Sequence, residues 1–468
     1  MRVCFILEGC YPYVFGGVSS WTHHYIEAMP DVEFVLWCIG SKEELKGKYK
    51  FQLPKNVVEI HEVFLDTALE IKMDKRQRKH PKITKEEREE MQNLFAGNDV
   101  NWDVLFNLFQ EKKMNPTSLL MSQEFLNLLI EKCREKYPYI SFSNYFFNVR
   151  SMLLPELYLM TTEVPEADIY HTTATGYSGI LGSMAKWKYK KPMIVTEHGI
   201  YTREREEELL GAKWVLPYLR QQWIEIFYRF SACAYEHADR VTALFNNANK
   251  IQAAIGCPVE KLSVIENGIN YDNFKDIPVK DDNGYIDIGA VVRIAKIKDI
   301  KTMIYAFAEV KSRVPNARLY ILGDVDDKEY NEECHQLIDQ LKVEDIIFTG
   351  VVSVKEYFPK FDFTILTSIS EGQPLSVLES FAAGRPVVTT DVGCCRELID
   401  RDDEFGSAGL CVPPMHKDLL ADAMVSMCLN KGMRLRMGES GRFRAKKYYT
   451  QKIMMDKYRS LYEEVVKK

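Results

Sequence analysis

The sequence predicts an α/β fold in which two domains, each built on a parallel sheet, follow one another along the chain. Short apolar runs, as at residues 3–7 and 34–39, alternate with helical patterns, which is typical of parallel sheets. A polar run at 275–285, with one Pro and one Gly, interrupts the alternation, which then restarts. The length of 468 residues fits two or three domains at roughly 150 residues each.

Strands are predicted at intervals in both halves, with helical patterns between them. In the first domain, residues 1–275, they lie at 3–7, 34–39, 169–171, 193–196 and 240–245. In the second domain, residues 276–440, they lie at 286–292, 318–322, 346–349, 363–367 and 386–390.

Segment 65–160 breaks this rhythm and is predicted to be a helical insertion in the first domain. Its charged stretch, 72–90, is either a solvated face or loop, or a surface for an anionic membrane or an acidic partner. The tail, 441–468, is predicted to be helical. Its apolar residues recur at steps of three and four, which favours a helix packed on its own protein; they are Met455, Tyr458, Tyr462 and Val465.

Composition excludes several classes of protein. The 61 basic and 67 acidic residues give a net charge of −6, whereas nucleic-acid binders usually carry a basic excess. The apolar runs are shorter than the ~18 residues of a membrane span. The apolar start, broken by Glu8, is too short for a secretory signal, so we expect a cytoplasmic protein. The eleven cysteines lack a Cys-x-x-Cys pattern and predict reduced thiols, not a zinc site.

Two segments carry residues suited to an anionic ligand. Gly16 and Gly17 lie between a predicted strand and a helix, where they form either a structural turn or a phosphate contact. Arg293 and Lys298 follow the strand at 286–292, with Lys296 as a third cation in the same loop. They are either surface cations or a diphosphate site that neutralises a leaving phosphate without a metal.

Three further residues lie near predicted strand ends. Glu371 follows the strand at 363–367, and Glu379 lies about two turns into a helix that starts near Leu375. Both carboxylates could accept hydrogen bonds from sugar or ribose hydroxyls, although they also fit an exposed loop and a helix surface. Apolar neighbours around Glu379 predict burial, and a buried carboxylate needs a partner. His198 is either a structural residue or a functional one in a loop.

Together, these residues resemble the family 4 retaining glycosyltransferases, which have the GT-B architecture. The resemblance spans nearly the whole chain through seven short motifs in order: Gly16-Gly17, His198, VIENGIN at 264–270, Arg-x4-Lys at 293–298, LGD at 322–324, TGV at 349–351 and Glu-x7-Glu at 371–379. Longer phrases, including EGCYPYVFGGVSSW, TEHGIYTRERE and SISEGQPLSVLES, resemble the soluble glycosyltransferases of Pel exopolysaccharide synthesis.

The resemblance implies two Rossmann-like domains facing across a cleft, with a C-terminal helix that crosses back onto the first domain. It implies that Arg293 and Lys298 hold the diphosphate of a nucleotide sugar, helped by the Gly16-Gly17 loop. Glu379 would bind the ribose, and Glu371 would contact the donor sugar. His198 would contact the reacting sugar, and Val351 would lie near the base. The sugar and phosphate would also contact the backbone at Gln373, Pro374, Leu375 and Ser376.

Two positions depart from the family pattern. Gly-Gln-Pro at 372–374 replaces the usual Gly-Phe-Gly, so Gln373 is expected to alter the recognition of sugar hydroxyls. Lys296 stands where the Pel-type phrase would have a proline, and it adds a cation beside the phosphate site.

The resemblance therefore implies a retaining glycosyltransferase that needs neither metal nor cofactor. It would transfer a hexose or N-acetylhexosamine from a UDP-sugar to a growing exopolysaccharide of Pel type. Its expected partners are the UDP-sugar, the polysaccharide acceptor and an inner-membrane export complex, with no nucleic acid. The alternatives are an ADP- or GDP-sugar donor, a GT-B nucleotide-sugar epimerase, and a binding subunit without turnover.

Overall fold

The computed structural model of the protein describes residues 1–467. The chain divides into two compact units, which are described separately. Unit 1 comprises Met1–Ala243, Asn249–Ser263 and the residues from Arg459 onward. Unit 2 comprises Leu244–Ala248 and Val264–Tyr458. The polar run at 275–285 therefore lies within unit 2.

The first sheet has seven strands, and the pairs from β3 to β6 are parallel. Its strands are β1 (Arg2–Glu8), β2 (Glu33–Gly40), β3 (Val57–Phe64), β4 (Ile169–Thr172), β5 (Met193–Glu197), β6 (Arg240–Ala243) and β7 (Leu262–Val264). Their order in the sheet is β3-β2-β1-β4-β5-β6-β7.

Helices pack around this sheet, and six of them, α2 to α7, fill segment 65–160 as predicted. The helices up to residue 254 are α1 (Gly17–Glu27), α2 (Lys75–Lys79), α3 (Lys85–Ala96), α4 (Trp102–Phe106), α5 (Pro116–Leu120), α6 (Gln123–Lys136), α7 (Phe142–Leu159), α8 (Tyr177–Tyr189), α9 (Tyr201–Gly211), α10 (Arg220–His237) and α11 (Asn246–Ala254). Side-chain caps start several of them; Asp74 caps α2, and Thr84 with Glu87 forms a capping box on α3.

The second sheet has six parallel strands. They are β8 (Ile286–Val291), β9 (Ala317–Leu322), β10 (Ile346–Gly350), β11 (Phe363–Leu366), β12 (Val387–Thr390) and β13 (Gly409–Val412). The helices that follow residue 299 are α12 (Ile300–Arg313), α13 (Lys328–Leu341), α14 (Val354–Tyr357), α15 (Leu375–Ala382), α16 (Cys395–Ile399), α17 (Lys417–Leu429), α18 (Lys431–Tyr448) and α19 (Gln451–Val466). The predicted α/β class with two parallel sheets is confirmed.

In each sheet the strand order reverses at one place. In the first sheet the chain builds outward from β1 to β3 on one side and from β4 to β7 on the other. The second sheet runs β10-β9-β8-β11-β12-β13, so its reversal lies between β8 and β11. Open parallel sheets bind ligands in the crevice at the carboxyl ends of the two strands beside such a reversal. The loops after β8 and β11 are therefore where unit 2 should hold a ligand.

The apolar stripe predicted in the tail is buried. Met455, Tyr458, Tyr462 and Val465 are each at most 5% exposed, so the helix packs on its own protein as expected. Tyr462 also accepts a hydrogen bond from Tyr25 at 2.8 Å within unit 1. All eleven cysteines are unpaired, and most are buried. Within residues 1–467 no helix combines the length and the apolar character that a membrane crossing requires.

Candidate active site

Two hydrogen bonds to backbone carbonyl oxygens hold together the loops that follow β8 and β11 in unit 2. Thr367 donates its hydroxyl to the carbonyl oxygen of Lys298 at 2.8 Å. The amide of Ile369 donates to the carbonyl oxygen of Ile297 at 2.9 Å. The two segments on either side of the strand reversal therefore form one fixed structure, which is how a preorganised site is built.

Across this junction, the side chains of Lys298 and Glu371 are in contact. The Nζ atom of Lys298 lies 2.5 Å from Oε1 of Glu371, and the two side chains are only 18% and 11% exposed. The hydroxyl of Ser368 donates to the same Oε1 atom at 2.5 Å. An ammonium group has three donors, and the contact with Glu371 uses one of them. The pair can therefore accept an anion at Lys298 and a hydroxyl donor at Glu371.

The other two cations of this loop are exposed and paired elsewhere. The Nη1 atom of Arg293 lies 2.5 Å from Oδ2 of Asp326, with both side chains about half exposed. Lys296 lies 3.7 Å from Asp327, which also caps α13. Exposed ion pairs of this kind contribute about 0–1 kcal/mol, so a phosphate could replace Asp326 at little cost.

Glu379 lies on α15, which begins at Leu375 as predicted. It is the fifth residue of this helix, so it lies little more than one turn from the start, and the expected two turns were wrong. Burial raises the pKa of its carboxyl from 4.5 to about 7. Its neighbours Val377 and Leu378 are buried, which explains the low polarity around the carboxyl.

Gln373 has a role that the sequence does not predict. Its side chain is 6% exposed, and Oε1 accepts a hydrogen bond from the backbone amide of Asn267 at 2.6 Å. This contact ties the loop of Glu371 to the VIENGIN segment. The same loop is held on its other side by Gly393, where an added Cβ would lie 2.1 Å from the carbonyl oxygen of Glu371. Gln373 is thus a tether of the loop.

The other predicted residues of unit 2 lie at the same edge of the sheet. Pro374 is the N-cap of α15, so Leu375 and Ser376 form its first turn, where backbone N–H groups lack helical partners. Val351 follows β10 with 76% of its surface exposed. In the LGD motif, Gly323 has φ of +155°, and an added Cβ would lie 2.0 Å from the carbonyl oxygen of Val292.

In unit 1, the Gly16-Gly17 pair precedes and begins α1. An added Cβ at either glycine would meet no atom within 4 Å. Gly16 has a fully extended backbone, with φ of 174°, and neither glycine lies in the left-handed region. Neither packing nor backbone conformation in this structure requires glycine here. The pair leaves its backbone open to a ligand.

His198 follows β5, and its ring lies edge-on to Trp21 of α1, with centroids 4.4 Å apart. Its Nε2 atom is buried, without a hydrogen-bond partner among the described residues. Burial lowers the pKa of the imidazole from 6.5 to about 4. His198 is therefore neutral near pH 7 and cannot act as a cation there.

Two buried carboxylates fix the loops that carry these unit 1 residues. Glu8, at the end of β1, accepts hydrogen bonds from the hydroxyl of Tyr201 at 3.0 Å and the amide of Ser178 at 3.1 Å. Glu197, next to His198, accepts from the hydroxyl of Tyr235 at 2.7 Å. Burial raises the pKa of both carboxyls. Neither residue was predicted to belong to the site, although an acid at the end of an apolar strand is a usable signal.

Among residues 1–467, no group of three or more His, Cys, Asp or Glu side chains is arranged to hold a metal ion.

Known families match both parts of the chain. Residues 1–260 match the family described as Domain of unknown function (DUF3492), and residues 286–430 match the family described as Glycosyl transferases group 1. The second match places a glycosyltransferase family model on unit 2. Because the first match covers more than half of its length, the chain belongs to the DUF3492 family.

Curated relatives of the chain are named as glycosyltransferases. The chain is 30% identical over 201 residues to an uncharacterized glycosyltransferase of Methanocaldococcus jannaschii, covering 40% of this chain and 50% of the relative. It is 24% identical over 304 residues to the MMP alpha-(1->4)-mannosyltransferase of Mycolicibacterium hassiacum, covering 64% and 71%. It is 22% identical over 308 residues to the capsular polysaccharide biosynthesis glycosyltransferase CapM of Staphylococcus aureus, covering 63% and 76%. The chain spans about half the length of the first relative.

Solved structures share the fold over almost the whole chain. Anabaena HepE in complex with UDP superimposes with a TM-score of 0.63 at 13% identity, covering 99% of this chain and 100% of that one. HepE has also been solved with UDP-glucose. The sucrose-phosphate synthase of Thermosynechococcus elongatus gives 0.62 at 15% identity, covering 99% of each chain. At these identities the likeness establishes the fold alone, and the predicted GT-B class is confirmed.

Proposed function

We propose that the protein is a retaining, metal-independent glycosyltransferase of the PelF type. It transfers a hexose or N-acetylhexosamine from a UDP-sugar to a growing exopolysaccharide. The observation that carries the proposal is the contact between Lys298 and Glu371 at the strand reversal of unit 2. A cation and a carboxylate side by side match the two chemistries of a sugar diphosphate, which presents an anion next to hydroxyl donors.

The charges of this site suggest how each residue acts. Lys298 donates to the diphosphate and stabilises the charge that develops as the sugar leaves. Arg293 exchanges its exposed contact with Asp326 for a phosphate oxygen. Glu371 accepts a hydroxyl of the donor sugar, and Glu379 accepts the ribose hydroxyls.

Retention without an evident nucleophile implies attack on the same face from which the diphosphate leaves. In this scheme the departing phosphate oxygen takes the proton of the acceptor hydroxyl. Neutral His198 offers its unpartnered Nε2 atom to a hydroxyl at the reacting sugar. The open backbone at Gly16 and Gly17 supports a phosphate contact, because a ligand accounts for glycines that packing does not require.

The proposed donor and acceptor rest on similarity to two other proteins, HepE and CapM. The neighbour HepE was solved with UDP and with UDP-glucose, which makes UDP-sugars the first donors to test. CapM acts in capsular polysaccharide biosynthesis, which supports a polysaccharide acceptor. The sequence phrases that resemble the Pel-type enzymes favour an exopolysaccharide of Pel type as the acceptor. They also imply an inner-membrane export complex as a partner.

The test is nucleotide release from UDP-glucose, UDP-N-acetylhexosamines, ADP-glucose and GDP-mannose, with and without an oligosaccharide acceptor. We expect acceptor-dependent UDP release that survives EDTA, and NMR of the product should show the donor's anomeric configuration. Lys298→Ala is the matched inactive control. Release of a free sugar epimer without acceptor dependence would identify an epimerase, and donor binding without any turnover would identify a binding subunit. Activity restored only by Mn²⁺ or Mg²⁺ would refute the metal-free mechanism.

A further inference from the structure

Unit 1 presents an aromatic side chain to solvent beside the Gly16-Gly17 pair. Phe15 is 65% exposed, and Val14 before it is 51% exposed. The ring of Phe15 lies 5.0 Å from that of Phe51, at an angle of 60° between the planes. An exposed phenylalanine in contact with a second ring offers a flat apolar surface on the loop that leads into α1.

This surface rests on an ordered support. Phe51 also contacts Tyr11 and His23, with ring centroids 5.0 and 5.1 Å apart. The amide of Lys50 donates to the carbonyl oxygen of Pro12 at 2.8 Å, which joins the two segments that carry the rings. The rings are therefore held in place before any ligand arrives, which reduces the ordering cost of binding.

A second tie holds the same two segments from the other side. The hydroxyl of Tyr13 donates to Oε1 of Glu62 at 2.8 Å, and the amide of Gly47 donates to the same oxygen at 3.0 Å. Both ties anchor the loop close to Phe15 in the chain.

The surroundings of the rings decide which ligand fits. Lys50, next to Phe51 in the chain, is exposed. His24 is also exposed, and its ring lies 5.9 Å from that of His23, which contacts Phe51. The apolar surface therefore has polar neighbours. A sugar has this same division, because its C–H face is apolar and its hydroxyls point outward as donors and acceptors. The C–H bonds carry a slight positive charge and are attracted to the negative face of an aromatic ring. A protein partner or a lipid surface would call for a wider apolar patch.

We propose that Phe15 and Phe51 form a stacking subsite for one sugar unit of the acceptor glycan. The proposal rests on the proposed function, and it assigns the acceptor to named residues of unit 1. The polar neighbours supply hydrogen-bond donors to the hydroxyls of the stacked sugar.

The first experiment measures glycan binding without turnover. Saturation-transfer NMR and calorimetry with chitohexaose and cellohexaose are carried out on wild type, Phe15→Ala, Phe15→Trp and Phe147→Ala. Phe147 is the matched control, because it is a phenylalanine of unit 1 with 62% exposure. We expect Phe15→Ala to weaken binding on the order of 10-fold, as loss of a partly buried aromatic contact does. Phe15→Trp should retain binding, and Phe147→Ala should match wild type.

The second experiment uses turnover. In Phe15→Ala the KM for the acceptor should rise on the order of 10-fold, while the KM for the UDP-sugar stays within about twofold. Because Phe15 is exposed, the thermal midpoint of the variant should equal that of wild type, which separates a binding effect from misfolding.

The outcomes separate the subsite from the proposed function. Glycan binding that is lost in Phe15→Ala supports the subsite even if no UDP-sugar is turned over, in which case only the transferase proposal fails. Wild-type protein that binds neither hexasaccharide, or Phe15→Ala that binds as tightly as wild type, overturns the subsite. An equal loss in Phe147→Ala also overturns it, because the effect would then belong to exposed phenylalanines in general.

Discussion

Glu379 gives the most quantitative prediction, because burial sets the pKa of its carboxyl to about 7. A ribose hydroxyl donates its hydrogen to the ionised carboxylate, so binding of UDP-glucose should favour the ionised form. At pH 6 roughly one molecule in ten of the free protein is ionised at this site, and at pH 8 roughly nine in ten are. The affinity for UDP-glucose should therefore be roughly 10-fold weaker at pH 6 than at pH 8.

The same pKa shift also affects stability, which should fall with rising pH while the affinity for UDP-glucose rises. In the folded state Glu379 holds its proton more tightly than in the unfolded chain, since the pKa rises from 4.5 to about 7. The contribution of Glu379 to the free energy of unfolding is therefore highest below pH 4.5, falls as the pH rises from 4.5 to 7, and stays low above it. The cost at pH 8 is up to roughly 3 kcal/mol, at about 1.36 kcal/mol per unit of pKa.

Glu379→Gln tests both effects at once. The variant cannot ionise, so it should bind UDP-glucose more weakly at pH 8 and lose the pH dependence of binding. It should also be more stable than wild type, by up to roughly 3 kcal/mol at pH 8 and by less than about 1 kcal/mol at pH 5. UDP-glucose suits the binding assay because its diphosphate has no ionisation near pH 7. Unfolding is best followed by calorimetry, because all six tryptophans lie between residues 21 and 223, in unit 1, and their fluorescence would not report on the unit that holds Glu379. Equal affinities at pH 6 and pH 8 in wild type would refute the reasoning.

Four further predictions concern the loops of unit 2 and the basic stretch. Lys298→Ala should weaken UDP binding and cut turnover on the order of 10²–10³-fold, while exposed Arg293→Ala should cost less, measured by calorimetry and UDP release. Glu371→Gln should leave UDP affinity nearly intact and lower turnover; an equal loss of UDP affinity in both Glu371 and Glu379 variants would contradict their separate roles. Gln373→Ala should lower the rate with the UDP-sugar by freeing the loop, and Gln373→Glu should not rescue it, because the added charge would be buried. Four exposed cations of the basic stretch are Lys75, Arg76, Lys79 and Lys82. Their replacement by Glu should reduce co-sedimentation with membranes that carry the export complex and leave UDP release unchanged. Unchanged co-sedimentation would show that these cations have no docking role.

The sheets could be predicted because most of their strands are buried. All ten predicted strands occur within two residues of the expected bounds. The strands that the sequence does not predict have weaker apolar patterns. In β3, VVEIHEVF, two glutamates and a histidine interrupt the apolar residues at the edge of the sheet, where one side of the strand is open to solvent. β7 and β13 have only three and four residues, most of them partly exposed.

The candidate site was predictable as a set of residue types and unpredictable as a set of contacts. Short motifs at strand ends identify Lys298 and Glu371, because parallel strands bring their carboxyl ends to one edge. Their direct contact joins loops that are 73 residues apart, which no local pattern encodes. The tether from Gln373 to Asn267 joins segments 106 residues apart. It adds a role in holding the loop, while the expected role of Gln373 in sugar recognition stays a prediction.

Burial at the candidate site is the feature that connects energetics to function. Glu379 and His198 are each kept toward the neutral form because burial penalises their charged forms. The buried Nε2 atom of His198 lacks a partner among the described residues, an arrangement that costs about 1–3 kcal/mol in a folded protein. A fold that served stability alone would place apolar residues at both positions. Under the proposed function a ligand hydroxyl would offset each cost, and these two positions would then be ones where the chain gives up stability for binding, as expected of functional sites.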